Sequence, residues 1–231
     1  MNPRDLAGKV KRKGLSGTLH HLCARYLYGQ RHLLWMERDL ILEAPRLQRQ
    51  HHWRYPPIGR ELLPAFERHF PQHRAVIGDL LDQAGVQGLA ALDDEGNVCA
   101  FVWYSDRDYY DRHYYRCWFP VTAPGVYLFA VEVAPGHRGS ALILGGQEHL
   151  WERLRAAGHQ HARAVVDARN ARARKLLEHL GFQPLGWQTR VFTLFGCLRL
   201  CHQPPAVRDQ LGSQSGSLAW YRLQHPFRRF P

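Results

Sequence analysis

The chain has little of what a cross-linked or membrane-spanning protein needs. Its five cysteines in 231 residues are Cys23, Cys99, Cys117, Cys197 and Cys201, an odd and scattered set. That argues against a disulfide framework and fits a reducing compartment. No apolar run approaches the ~20 residues that cross a bilayer. No compact apolar stretch near the start leads to a small-residue cleavage site, so the expected location is cytoplasmic. Acidic residues are in deficit, 20 Asp and Glu against 31 Lys and Arg, for a net charge of +11. That balance favours anionic partners, whether phosphate-bearing cofactor, acidic lipid or nucleic acid, without choosing among them. Neither an RNA-recognition motif nor a zinc finger is visible, so no nucleic-acid partner is expected. Fifteen histidines raise the question of a metal. There is no His-Glu-x-x-His pattern and no Cys-x-x-Cys, and the best cluster, Cys197-x-x-x-Cys201-His202, reads as packed thiols on a strand. The expectation is no metal.

What is present is ordinary globular material, 45% apolar and 22% charged, in a chain long enough to bury a core without staples. Residues 1–38 hold eight Lys or Arg against two Asp or Glu. Lys9, Lys11, Arg12 and Lys13 cluster, and Leu15, Leu19, Leu22 and Tyr26 then recur at helical spacing. Residues 1–32 therefore read as a basic arm with an amphipathic helix, a candidate for weak contact with anionic membrane. Residues 33–202 read as one domain, and 203–231 as a loosely held tail containing the Gly/Ser stretch 212–217.

Within the domain the pattern predicts a strand over Leu33–Leu42, a loop over 45–57, and helices over Ile58–Phe70 and His73–Ala84. A hairpin follows, Gly88–Leu92 and Val98–Tyr104, around an Asp-Asp-Glu-Gly-Asn turn. Residues 106–124 form an insert crowded with Tyr109, Tyr110, Tyr114, Tyr115, Trp118 and Phe119, either a lid or a loop that covers its own apolar patch. Then come a strand, Val126–Val133, a helix, Leu142–Ala157, a strand, His161–Asp167, a helix, Asn170–Leu180, closed by Gly181, and two strands over Gln183–Leu200.

The segment from Val131 to Phe182 carries the chemistry. A buried strand feeds the turn Ala134-Pro135-Gly136-His137-Arg138-Gly139-Ser140 into a helix N-terminus. The first N–H groups of a helix have no internal partner and the dipole adds positive charge, so such a turn attracts anions. Gly139, Ser140 and Ala141 are small enough for phosphate to approach the backbone, and Arg138 adds a planar cationic fork.

Val133-x-Pro135-x-x-Arg138-Gly139, a helix ending at Gly158, a strand, Asn170-x-x-Ala173 and Leu180-Gly181-Phe182 together resemble the GNAT superfamily of acyl-CoA-dependent N-acyltransferases. The resemblance implies an α/β fold with a central, mixed, splayed β-sheet flanked by helices. It implies acetyl-CoA or another acyl-CoA as donor, with its pantetheine arm between Val126–Val133 and His161–Asp167. It assigns cofactor contacts to Val133, Arg138, Gly139, Ser140, Ala141 and Asn170, with Asn170 read equally well as a helix cap. It implies acyl transfer to a primary amine of an unidentified acceptor, with a homodimer as a candidate assembly; the aromatic insert favours a small-molecule acceptor, since rings supply the apolar walls of small pockets.

For catalysis, Glu132 is the carboxylate of the splayed strand and a candidate base, on the face opposite Val133. Tyr127 shares Val133's parity and is a candidate acid or acceptor-site wall, or else a core tyrosine. Ile143 and Leu177 depart from the family pattern. Leu177 stands where many members carry a tyrosine that protonates the leaving thiolate. That departure motivates the alternative of an acyl-CoA-binding or protein-interaction module with little transferase activity.

Overall fold

Alternating apolar side chains build the centre of the molecule, and the computed structural model describes residues 27–42, 53–195, 198–205 and 207. The strands are β1 (Tyr28–Asp39), β2 (Val86–Leu92), β3 (Val98–Ser105), β4 (Tyr109–Tyr110), β5 (Trp118–Phe119), β6 (Gly125–Val133), β7 (His161–Asp167), β8 (Gln183–Leu194) and β9 (Leu198–His202). The α-helices among the described residues are α1 (Arg74–Leu81), α2 (Leu142–Ala156) and α3 (Ala171–His179). Seven strands form one sheet in the order β2-β3-β6-β7-β1-β8-β9, and β4 and β5 pair separately. Neighbours run antiparallel except β6 and β7, which are parallel and joined through α2. A parallel pair needs a crossover of this kind because a hairpin reverses direction.

The period-2 rule assigns each face its core. On β1, Leu33 and Trp35 join one cluster, with Phe66, Phe70, Ile77, Phe101, Trp103, Phe119 and Tyr127. Met36 joins the other, with Leu150, Trp151, Leu154, Ala162, Ala164, Val166 and Phe182. The first face is covered by α1, the segment before it and the aromatic insert; the second is covered by α2 and α3. On β7 the alternation is complete, with Ala162, Ala164 and Val166 buried and their neighbours partly exposed. Opposite it, Glu37 of β1 faces Arg163 in register, and Arg163 Nε donates to Glu37 Oε2 at 2.6 Å.

Several expectations shift in detail. β1 begins at Tyr28 rather than Leu33, so residues assigned to the arm belong to the sheet. The helix expected over Ile58–Phe70 is a 3-10 helix over Arg60–Phe66. Pro64 lies inside it, and a proline both lacks the N–H of the α ladder and clashes with the carbonyl four residues back. The insert is built into the core: Tyr109, Cys117 and Phe119 are buried against the sheet. Asp111 pins it by accepting from the N–H groups of His113, Tyr114 and Tyr115 at 3.0, 2.8 and 3.1 Å. Gln203, placed in the tail by sequence, is buried. Its amide donates to Trp118 O at 2.7 Å and its carbonyl accepts from Thr189, which in turn accepts from Trp35 Nε1 at 2.9 Å. Val207 is also buried in that cluster. Residues 1–26 of the expected arm, Cys23 among them, and Cys197 lie outside the described residues.

Candidate functional site

β6 changes its surroundings half-way along. Gly125, Val126, Tyr127 and Leu128 pair in register with His161, Ala162, Arg163 and Ala164 of β7. Beyond Leu128 that pairing ends, while β3 stays paired to β6 as far as Val133. The sheet therefore opens between Phe129–Val133 and Val165–Asp167. Val131, on the open part, is 53% exposed. Backbone groups facing such a gap need another partner.

The opening has a local cause. Ala130 has φ +48, and the register of β3 against β6 passes from Trp103↔Phe129 to Phe101↔Glu132. β6 thus holds one residue more than β3 across this step, which is a bulge. It also reverses the alternation. Tyr127 and Phe129 lie with the aromatic core. Past the bulge it is Glu132 that reaches this face, bonded to His73 beside Phe101. Val133 packs on the other face with Ala91, Cys99, Ala100 and Leu142. The parity expected between Tyr127 and Val133 is lost because the bulge intervenes.

Immediately after β6 comes the turn in which the sequence places an anion. Ala134 N donates to Cys99 O at 2.8 Å, which ties the turn to β3. Gly139 has φ +81 with open space where a Cβ would stand. A side chain there would strain the backbone rather than clash. Ser140 Oγ donates to His137 O at 2.7 Å. Ala141 is the N-cap of α2 and has no side chain to cap it with; Ser140 Oγ accepts from Leu142 N at 3.4 Å, and the next N–H groups of the first turn have no capping side chain. Arg138 is exposed and its Nε donates to Val133 O at 3.2 Å. The five residues from Val133 through Ala141 expected at the cofactor are thus in one turn.

Asn170 occupies the equivalent place after β7. Its Oδ1 accepts from Ala173 N at 3.1 Å, so it caps α3. The N-termini of α2 and α3 therefore both follow the C-terminal ends of the two splayed strands, where open α/β sheets receive ligands.

Tyr127 and Glu132 have different environments. Tyr127 is 2% exposed. Its ring stacks on Phe119 at 4.7 Å and Phe129 at 5.8 Å, and burial pushes its hydroxyl well above the ordinary tyrosine range. Glu132 Oε2 accepts from His73 Nε2 at 2.7 Å, and both side chains reach solvent. His73 escaped the sequence reading because it lies far from Glu132 along the chain, in a segment that reads only as helix. The meeting of Cys99 with His137 escaped it too; Sγ and Nε2 are 3.3 Å apart.

The model of the FR47-like protein family matches residues 118–192, from β5 into β8. A GCN5-related N-acetyltransferase from Sphaerobacter thermophilus is similar in structure, 16% identical with a TM-score of 0.51, over 83% of this chain and 58% of that one. The fold is that of the GNAT superfamily. A functionally unknown conserved protein from Staphylococcus epidermidis is 10% identical with a TM-score of 0.51, over 84% and 69% of the two chains. An aminoglycoside antibiotic 6'-N-acetyltransferase, AAC(6')-Ih from Acinetobacter baumannii, is 19% identical with a TM-score of 0.43, over 57% and 90%. No curated protein matches the chain.

Within this GNAT fold the two departures are packing residues. Ile143 and Leu177 are partly buried against the α2/α3 core. Gly146 in α2 also has a use: a Cβ there would stand 3.1 Å from Tyr55 Cε1. That closeness lets Tyr55 lie along α2, where its hydroxyl donates to Leu142 O at 3.3 Å. Two surface hollows lie elsewhere. One of 520 Å3 is lined by Arg54, Tyr55, Glu61 and Leu92 among others, and one of 280 Å3 by Asp79, Asp82, Asp108 and Arg112 among others.

Proposed function

We propose that the chain is an acyl-CoA-dependent N-acyltransferase that acylates a primary amine, with acetyl as the default group and a small molecule as the acceptor. The observation that carries this reading is the end of β6–β7 pairing after Leu128↔Ala164, on the strand that leads through the Pro135–Ser140 turn to the N-terminus of α2. An extended arm bearing amides satisfies the open strand, and a pyrophosphate satisfies the turn. In this reading Val133 bonds the arm, Arg138 swings from Val133 O to the phosphates, and Gly139, Ser140 and Ala141 offer backbone and hydroxyl donors. Asn170 keeps its cap and borders the arm.

The reaction needs a deprotonated amine, a donor for the tetrahedral oxyanion and a path for the thiolate. The Glu132–His73 pair takes the proton of the incoming ammonium. The amine nitrogen bonds to the thioester carbon, the C–S bond breaks, and the proton that the nitrogen then sheds passes through water to the leaving CoA thiolate. Tyr127 is assigned to the core and given no step, because its ring is enclosed by Phe119, Phe129, Tyr109 and Trp35.

Leu177 supports one other reading. A leucine cannot protonate a thiolate, which favours a GNAT-fold module that binds acyl-CoA or a partner protein with little transfer. The test begins with calorimetric titration of acetyl-CoA into the wild type and Arg138→Ala, followed by an acceptor screen with a thiol-release assay. Micromolar binding lost in the variant and rapid thiol release with an amine are expected. Binding without release from any amine selects the module, and failure of acetyl-CoA and longer acyl-CoAs to bind removes both readings.

A further inference from the structure

Three donors from separate parts of the chain converge where the turn before α2 meets β3. His69 follows the 3-10 helix Arg60–Phe66, Cys99 lies on β3, and His137 ends the short turn Pro135–His137. One ligand-type atom from each, two imidazole nitrogens and a sulfur, all lie within 4.8 Å of one another. Cys99 Sγ to His137 Nε2 is 3.3 Å, and the His69 and His137 rings are 5.9 Å apart, edge to face. Tetrahedral zinc with Zn–S of about 2.3 Å and Zn–N of about 2.0–2.1 Å separates its ligand atoms by about 3.4–3.6 Å. One edge of the tetrahedron is therefore nearly formed, and no other pair of donor atoms is more than 4.8 Å apart.

We propose that His69, Cys99 and His137 form a binding site for a divalent transition metal of zinc type, which pins the turn before α2 to β3. The donor set is borderline-soft, one thiolate and two neutral imidazoles without a carboxylate, which suits zinc and disfavours magnesium or calcium. Cys99 is fully buried and backs the site, while both histidines are partly exposed, so an ion can enter from solvent. In the metal-free protein Cys99 Sγ and His137 Nε2 share a hydrogen bond at 3.3 Å; binding releases the thiol proton and forms the Cys99–metal bond. One thiolate against a dication leaves a net positive centre, with its fourth position available to water or an anion. Short surface segments hold both histidines, so the metal would supply the rigidity that the turn otherwise draws from the Ala134–Cys99 hydrogen bond.

This inference does not depend on acyl transfer, and its test uses neither CoA nor activity. The full chain, stripped with chelator and kept reduced without thiols, is titrated with cobalt(II) chloride. A thiolate-to-cobalt band and intense visible bands of tetrahedral cobalt are expected to saturate near one equivalent, and zinc is expected to remove them. Cys99→Ser is expected to abolish the thiolate band, and His69→Ala and His137→Ala to weaken binding at least about tenfold. Cys201→Ser is expected to leave the band unchanged. No thiolate band in the wild type, or an equal band in Cys99→Ser, overturns the site. If Cys99→Ser fails to fold by circular dichroism, His137→Ala decides, and a cobalt titration unchanged in that variant overturns it.

Discussion

The two halves of β6 differ more than two separate strands usually do. From Gly125 to Leu128 every residue is buried and paired with β7, and Tyr127 and Leu128 are paired with β3 as well. From Phe129 to Val133 the strand keeps β3, has no register with β7, and carries exposed Ala130 and Val131. Composition does not separate them, since both halves are apolar apart from Glu132. A single bulge separates them. One strand thus serves as core and then as an open edge, with a positive-φ alanine as the hinge between the two roles.

That comparison can be broken from the buried side first. Tyr127→Ala should destabilise the fold by about 3–5 kcal/mol, the usual cost of removing an enclosed aromatic ring. Chemical denaturation would measure it. Tyr127→Phe should keep most of that stability and leave thiol release intact, and a large loss of turnover in a folded Tyr127→Phe protein would return the tyrosine to the chemistry. On the open half the expected effect is on rate. Glu132→Gln should lower thiol release by about 10²-fold or more, as loss of a general base does, with little change in melting temperature. His73→Gln should lower it in the same direction if the two act as a pair.

A smaller effect sharpens the contrast. Val131→Asp should change stability by only about 0.5 kcal/mol, since the side chain is exposed. It should still weaken acetyl-CoA binding at least about tenfold by calorimetry if the arm lies along this edge. Asn170→Ala should cost about 1 kcal/mol through loss of the α3 cap. An additional loss of CoA affinity would show that the same amide also serves the ligand.

Alkaline pH offers a test remote from β6. Burial pushes the Tyr55 hydroxyl up to about 12 from the ordinary 10. The folded state therefore holds this proton where the unfolded chain has released it. Its stabilising contribution is complete below pH 10 and is lost as pH rises toward 12. Tyr55→Phe should flatten the fall in stability across that window.

Much of this architecture was legible in residue order. The hairpin, the β6–α2–β7 crossover, the Asn170 cap and the Gly181 stop all follow from apolar period, turn chemistry and helix-end residues, which act within a few positions of chain. The turn before α2 was legible for the same reason, since its Pro, Gly and Ser residues fall in one contiguous run from Pro135 to Ser140. The tertiary structure decided what local pattern cannot carry. A bulge at Ala130 reversed the faces of β6, because one extra residue in a period-2 strand exchanges inside and outside. Pro64 turned an expected helix into a 3-10 helix. Gln203 and Val207 left the tail for the core because buried partners on β8 and the insert received them. His73 met Glu132, and His69 and His137 met Cys99, only because the sheet brought distant segments to one end. Spacing along a chain encodes local geometry; the meeting of side chains far apart in sequence is set by how the layers pack.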